Sequence, residues 1–250
     1  MKTLVIVPTY NEREMLGETI TRLRDAVPNA DVLIVDDASP DGTGHLAEEL
    51  AEQDPAISVL HRAGKQGLGK AYVAGFGWAL ERGYEVIVEM DADASHQPEE
   101  LPTLLDRIAA ADQPDLVLGS RWVPGGSIVD WPRHREWLSR GGNVYVKVVL
   151  GLGVGDATGG FRAYRAAALK DLGLDQVAST GYCFQVDMVR RVLDLPGKIV
   201  EVPITFVERR EGTSKMNRSI VFEALWRVTG WGVKRRLKQL GRLPQALRRS

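Results

Sequence analysis

The chain has 250 residues, with 44% apolar and 26% charged residues and a formal net charge of -1. That composition is ordinary for a soluble globular protein and leaves room for one large α/β domain or two small ones. The single cysteine, Cys183, excludes an internal disulfide and suits a reducing, cytoplasmic setting. No apolar run reaches the eighteen or so residues of a spanning helix, and the run before Pro8 is too short for a signal peptide.

In chain order, β-branched runs alternate with helix-period segments, which predicts a mainly parallel sheet covered by helices on both faces. Strands are expected at Thr3–Val7, Val32–Asp36, Ile57–Leu60, Glu85–Met90 and Leu116–Gly119, and their near-continuous apolar character predicts burial on both faces. Between the first two, Leu16, Ile20, Leu23 and Val27 form a helical stripe, with Asn11 and Glu14 as a plausible capping pair. Leu68, Ala71, Tyr72, Gly75, Phe76 and Ala79 form a second stripe. The stretch GKQGLGK (Gly64–Lys70) before and into it has the spacing of a nucleotide-binding P-loop, but Ala71 stands where the metal-holding Ser or Thr is required. The loop can therefore favour an anion at a helix N-terminus without holding the metal. After Gly119 the alternation fades into a long Gly-, Trp- and Arg-rich region, of a kind more often functional than idle.

Charge is unevenly distributed. Residues 218–250 carry nine Lys/Arg and one acid, a net +8, whereas residues 1–217 carry 23 bases and 32 acids, a net -9. The expected organisation is one domain at 1–217 and a basic amphipathic extension at 218–250. In the extension, Ile220, Val221, Leu225, Val228 and Leu237 lie on an approximate apolar stripe with Trp226 and Trp231 as aromatic anchors. Two readings fit: a helix in a membrane interface, or an amphipathic helix packed on the domain with a solvated basic end. Nucleic acid is disfavoured, because the body is acidic and the basic residues lack interleaved stacking aromatics.

Two acidic clusters end expected strands: VDDASPDGT after the second and DADASHQPE after the fourth. In a doubly wound sheet both point into one crevice beyond the carboxyl ends. Asp91 and Asp93 present hard oxygens suited to Mg²⁺ or Mn²⁺ held with substrate phosphates, and paired carboxylates after a buried strand are costly unless a cation binds them. Asp41 reads as a turn and helix-capping residue.

Together with these clusters, PTYNE (Pro8–Glu12), GSR (Gly119–Arg121), WPRHREWLSRGGN (Trp131–Asn143), TGGFRAYR (Thr158–Arg165), TGYCFQVDM (Thr180–Met188) and ERREGTSK (Glu208–Lys215) resemble family 2 glycosyltransferases of the GT-A fold, and among them dolichol-phosphate mannose synthases and their bacterial polyprenyl-phosphate counterparts. The resemblance implies inverting, metal-dependent transfer of mannose from GDP-mannose to a polyprenyl phosphate. It assigns Pro8, Tyr10, Glu12, Asp37 and supporting Asp36 to the nucleotide, and Asp91 and Asp93 to the metal and diphosphate. Arg121, Arg135, Ser139, Arg209 and Lys215, with Ser214 close by, fall to the acceptor phosphate; Asp91, Asp93 and Arg121 are the catalytic set. Some relatives carry a Gln ligand where this chain has Ser95; His96 reads as a structural hydrogen-bonding residue. Asp187 is the candidate proton acceptor should the acceptor be a hydroxyl. A lipid acceptor implies a peripheral protein on the cytoplasmic membrane face, assisted in some relatives by a separate membrane protein. The alternatives are a UDP-glucose-dependent glucosyltransferase and a non-catalytic sugar-nucleotide or membrane-binding module.

Overall fold

The computed structural model describes residues 1–177, 181–195, 197–208 and 218–242, the last as a helix whose side chains are described over 225–237; the side chain of Tyr182 is likewise left aside. Among the described residues seven strands form the main sheet: β1 (Thr3–Thr9), β2 (Asp31–Asp36), β3 (Ile57–His61), β4 (Val86–Glu89), β5 (Leu116–Ser120), β7 (Arg162–Arg165) and β8 (Ile199–Pro203). Their spatial order is β3-β2-β1-β4-β7-β5-β8. All neighbours are parallel except β7, which runs antiparallel to both β4 and β5. Two short strands, β6 (Ser127–Val129) and β9 (Thr205–Val207), pair separately.

The five expected strands are present with ends shifted by at most two residues, and side-chain alternation explains how each serves two cores. Leu4 and Ile6 face one cluster and Val5 and Val7 the other, all fully buried. One face is covered by α1 (Arg13–Ala26), α2 (Thr43–Gln53) and α4 (Leu101–Ala109). The other packs against α3 (Leu68–Glu81), α5 (Arg133–Leu150), α6 (Ala166–Asp171), α7 (Tyr182–Asp194) and α8 (Arg218–Arg242).

Two expectations require correction. Asn11 does not cap α1: its backbone is left-handed at φ 59°, the cap position falls to Glu12, and the first helical amide, Arg13 N, donates instead to Asp41 Oδ2 at 3.3 Å. The capping carboxylate is thus supplied by a loop 28 residues away. The region after Gly119 is also more regular than its sequence suggests, since it contains the 18-residue helix α5. Gly141 and Gly142 interrupt the helical signal, each costing about 1 kcal/mol relative to Ala, and exposed Trp137, Val144 and Val148 blur the apolar face.

The chain leaves β1 toward β2 and β3 on one side and returns to β4 on the other. The direction of winding therefore reverses between β1 and β4, which opens a crevice at their carboxyl ends.

Candidate active site

A cavity of about 480 Å³ occupies that crevice. Its floor is built by strand ends: Pro8 and Thr9 close β1 and Tyr10 and Glu12 follow it, Asp37 follows β2, and Asp91 to Asp93 follow β4. The loop leading into α3 adds Lys65, Gly67 and Leu68, so the P-loop-like stretch does border the crevice. Gly67 caps α3 at φ 97°, and Gly69 lets the helix start press on α7, because a β-carbon there would meet the Phe184 ring at 2.8 Å.

The carboxylates are held rather than merely exposed. Tyr72 Oη donates to Asp91 Oδ1 at 3.0 Å, and burial beside these acids drives the phenol well above its ordinary range, so it remains a donor. The Asp91 amide donates to His96 Nδ1 at 3.2 Å, and His96 stacks on Phe161. Both contacts support the hydrogen-bonding role expected of His96, which also lines the cavity. Asp93 is buried and takes the Ser95 amide at 3.1 Å; the Ser95 hydroxyl oxygen is itself buried with no hydrogen-bond partner.

Among the described residues no group of three or more His, Cys, Asp or Glu is arranged to enclose a metal. Two hard carboxylates with a buried hydroxyl beside them nevertheless fit a divalent cation whose remaining ligands come from a diphosphate.

At the β1 and β2 ends, Lys65 Nζ lies 3.9 Å from the centre of the Tyr10 ring. Asp37 is paired with Arg62 and accepts the Gln66 amide at 3.2 Å. Asp36 is absent from the cavity lining and instead accepts Thr9 Oγ1 at 3.0 Å and the Ser39 amide at 3.1 Å, which fixes the turn after β2. Asp41 likewise serves its own turn through the Thr43 amide at 3.0 Å.

The opposite wall brings together three of the acceptor-side residues: Arg121, Arg135 and Ser139 all line the cavity. Arg121 is buried, and its Nε and one Nη grip Asp156 at 2.7 Å each. Burial opposes the charge on Asp156, but Arg121 more than compensates and holds that carboxyl below its ordinary range. Asp156 also takes the Gly159 amide at 3.1 Å, and Gly160 is close enough that a β-carbon there would lie 3.4 Å from Asp91 Oδ2. Arg135 pairs with Glu208 and lies over Trp131 with its guanidinium 4.3 Å from the ring centre. Arg209, Ser214 and Lys215 lie outside the described residues.

Beyond the arginines the cavity becomes apolar, lined by Leu138, Tyr145 and Val146 of α5, Cys183 and Val186 of α7, and Leu225 and Val228 of α8. Asp187 does not line it: this buried carboxylate is paired with Arg190 and, at 3.2 Å, with Arg191.

Sequence reasoning missed Glu89, Arg162 and Gln185 beneath the paired aspartates. Glu89 faces Arg162 across the β4–β7 ladder and accepts from Gln185 Nε2 at 2.9 Å. Burial pushes Glu89 up to about 7 against the opposing effects of Arg162, Gln185 and Tyr164. Arg162 donates to the carbonyls of Gly159, Gln185 and Ala157 and so ties the wall to the floor. An acid inside the otherwise apolar strand VIVE was the available signal.

Residues 4–173 match a known family model, Glycosyl transferase family 2. The chain belongs to family 2 of the glycosyltransferases. It is 57% identical over 240 residues to the undecaprenyl-phosphate mannosyltransferase of Micrococcus luteus, covering 96% of this chain and 98% of that one. It is 52% identical to the polyprenol monophosphomannose synthase of Mycolicibacterium smegmatis, covering 94% and 89%. Among solved structures, glucosyl-3-phosphoglycerate synthase from Mycobacterium tuberculosis with Mn²⁺ and UDP-glucose superimposes with a TM-score of 0.68 at 17% identity, covering 92% of this chain and 79% of that one. The mannosyltransferase PcManGT from Pyrobaculum calidifontis, in complex with GDP-Man and Mn²⁺, gives 0.56 at 18% identity, covering 98% and 76%. At those identities the shared property is the GT-A fold.

Proposed function

We propose that the chain transfers mannose from GDP-mannose to a polyprenyl phosphate, inverting the anomeric centre, with Mg²⁺ or Mn²⁺ at Asp91 and Asp93. The observation that carries this is the polarity of one cavity: carboxylates at the strand ends, arginines along the middle, and a wing of aliphatic and aromatic side chains between α5, α7 and α8. A nucleotide diphosphate with its cation, a phosphate, and the first apolar segment of a lipid acceptor match those three zones in order.

The nucleophile is an oxygen of a phosphate monoester, whose second pKa of about 6 leaves it anionic at neutral pH. No residue has to remove its proton. Asp187, the candidate base, is held by Arg190 and Arg191 away from the cavity lining, which supports the base-free route.

A divalent cation at Asp91 and Asp93 would neutralise charge on the departing diphosphate. Tyr72 and His96 hold the Asp91 side chain and backbone in place, so little reorganisation is required during reaction. Pro8, Tyr10, Glu12 and Asp37 bind the nucleoside, with Asp36 supporting the turn. On the acceptor side, Arg135 is oriented by Glu208 and Trp131, and Arg121 contributes the Nη that Asp156 does not take. Ser139, and beyond the described residues Arg209 and Lys215, complete the acceptor-phosphate set.

Residues 1–217 act as the catalytic domain, with 218–250 as its basic extension. No described helix is long and apolar enough to cross a membrane. The proposal accordingly places the protein peripherally on the cytoplasmic face of a membrane, with a separate membrane protein as a further partner.

The test is transfer of labelled sugar from a panel of sugar nucleotides to a polyprenyl phosphate, with Mg²⁺ or Mn²⁺ and with chelator. Metal-dependent lipid labelling from GDP-mannose is expected. Labelling from UDP-glucose alone would replace the donor, and no labelling from any donor would leave only a binding module.

A further inference from the structure

We propose that Asn143 is a positioning residue for the transfer: it fastens helix α5, which carries Arg135 and Ser139, to the turn that holds Arg121, an inference that rests on the acceptor reading above. Asn143 is buried within α5 and directs both ends of its side-chain amide at this turn. Its Oδ1 accepts the Ala157 amide at 2.9 Å. Its Nδ2 donates to Thr158 Oγ1 at 3.1 Å, to Asp156 Oδ1 at 3.4 Å and back to the Ser139 carbonyl at 3.1 Å. A backbone N–H on one side, with a carboxylate and a carbonyl on the other, leaves the amide a single orientation.

The turn is where the two ends of the site meet. Arg121 donates to Asp156 and, through one Nη at 2.9 Å, to Thr158 Oγ1, so Arg121 and Asn143 share both acceptors. Glu201 of β8 accepts the Gly155 and Asp156 amides at 2.7 and 2.9 Å, and Arg162 of β7 grips the Ala157 and Gly159 carbonyls. The turn is thus held from the sheet, independently of α5. Among the described residues, every hydrogen bond between α5 and this turn comes from Asn143.

Burial along α5 shows why that tie matters. Asn143 is the first buried residue of the helix, with Val146 and Leu150 after it, and residues 133–142 are exposed or half-buried. Arg135 and Ser139 lie on this outer part, at four-residue steps that share one stripe with Asn143. Gly141 and Gly142 stand at the junction, and a β-carbon at either would meet nothing within 4 Å, so no packing steadies it. The ion pair of Arg135 with Glu208 is a hold for which an acceptor phosphate competes. At 1.5 Å per residue, Arg135 lies about 12 Å along the axis from Asn143, and a tilt of about 5° there moves it by about 1 Å. Displacement on that scale costs about a hundredfold when two bound groups must meet.

The test is steady-state transfer by the full chain with GDP-mannose, Mn²⁺ and a short, water-soluble polyprenyl phosphate, beside equilibrium dialysis of that lipid phosphate. Asn143→Ala should raise the acceptor KM roughly tenfold while the GDP-mannose KM stays within about twofold. Asn143→Ser, which keeps a short hydrogen-bonding side chain on the turn, should show the same split at about threefold, and serves where the alanine variant does not fold. Leu150→Ala loosens the same helix from its core side and should lower the melting temperature without that split. Added to Arg135→Ala, Asn143→Ala should raise the acceptor KM by less than its own factor, because both act on one contact. An unchanged acceptor KM in a folded Asn143 variant would overturn the proposal, as would effects that multiply in full with those of Arg135→Ala. A wild type that binds the lipid phosphate and transfers no mannose would remove the proposed reaction. Weaker binding by Asn143→Ala would then still support the positioning role, and equal binding would overturn it.

Discussion

The two halves of the cavity are built by different means. The half proposed for the donor rests on carboxyl ends of adjacent parallel strands, so Tyr10, Asp37 and Asp91 converge through the sheet register, with Arg62 and Tyr72 steadying the two carboxylates. The half proposed for the acceptor is assembled from the β5 end, α5, α7, α8 and the turn at Thr158–Gly160, and its two described arginines are already paired inside the protein. Strand ends place groups rigidly at almost no extra cost. A wall made of separate segments needs internal ion pairs to hold it, and those pairs reduce the charge it can offer a ligand.

Substitutions at four residues can break or sharpen that contrast. The largest effect is expected on the donor side: Asp93→Ala should lower turnover about 10³-fold, the scale of a metal's charge stabilisation, with an unchanged melting temperature. An active, folded variant would remove the metal assignment.

On the acceptor side the first effect should be on stability. Asp156→Ala leaves Arg121 buried without its partner and should cost about 3–5 kcal/mol in urea unfolding. Because the folded-state pKa of Asp156 lies below its unfolded value, this stabilisation is present above about pH 4 and is lost as the pH falls through the folded value. Acid unfolding should accordingly be steeper in the wild type than in Asp156→Asn.

The junction between halves is probed by Gly69→Ala, whose new methyl meets Phe184 at 2.8 Å. It should cost about 1–3 kcal/mol by overpacking, measured by denaturant midpoint at constant m. A neutral outcome would show that α3 and α7 can separate freely.

The smallest change is expected for Asp187→Asn. Turnover should fall less than about threefold, since the residue is argued to do no proton transfer, and the loss of its ion pairs should show mainly in stability. Complete loss of turnover in a folded variant would make Asp187 a base and the acceptor a hydroxyl.

How far the sequence led differs between the same halves. Hydrophobic runs located β1 to β5, and the acidic motifs closing β2 and β4 located the crevice, because a parallel sheet makes local sequence sufficient to say where a strand ends. The motif resemblance supplied Arg121, Arg135 and Ser139 as acceptor residues, and all three do border the cavity. It could not say that Arg121 is gripped by Asp156, since a salt bridge across 35 residues leaves no periodic trace. Strand β7 escaped notice because it is four residues long and enters antiparallel between β4 and β5. Helix α5 escaped because a face that stays exposed beside a cavity-lining face has no single apolar stripe.

By itself, then, the sequence determined the alternating architecture, the paired carboxylates and the basic extension, each of which is written in contiguous residues. Only the tertiary structure decided that Asp41 caps a helix begun 28 residues earlier, that Glu89 sits uncomfortably buried beneath the aspartates, and that Asn143 ties α5 to the Asp156 turn. Those features depend on which segments the chain brings side by side, and proximity of that kind follows from burying two cores against one sheet.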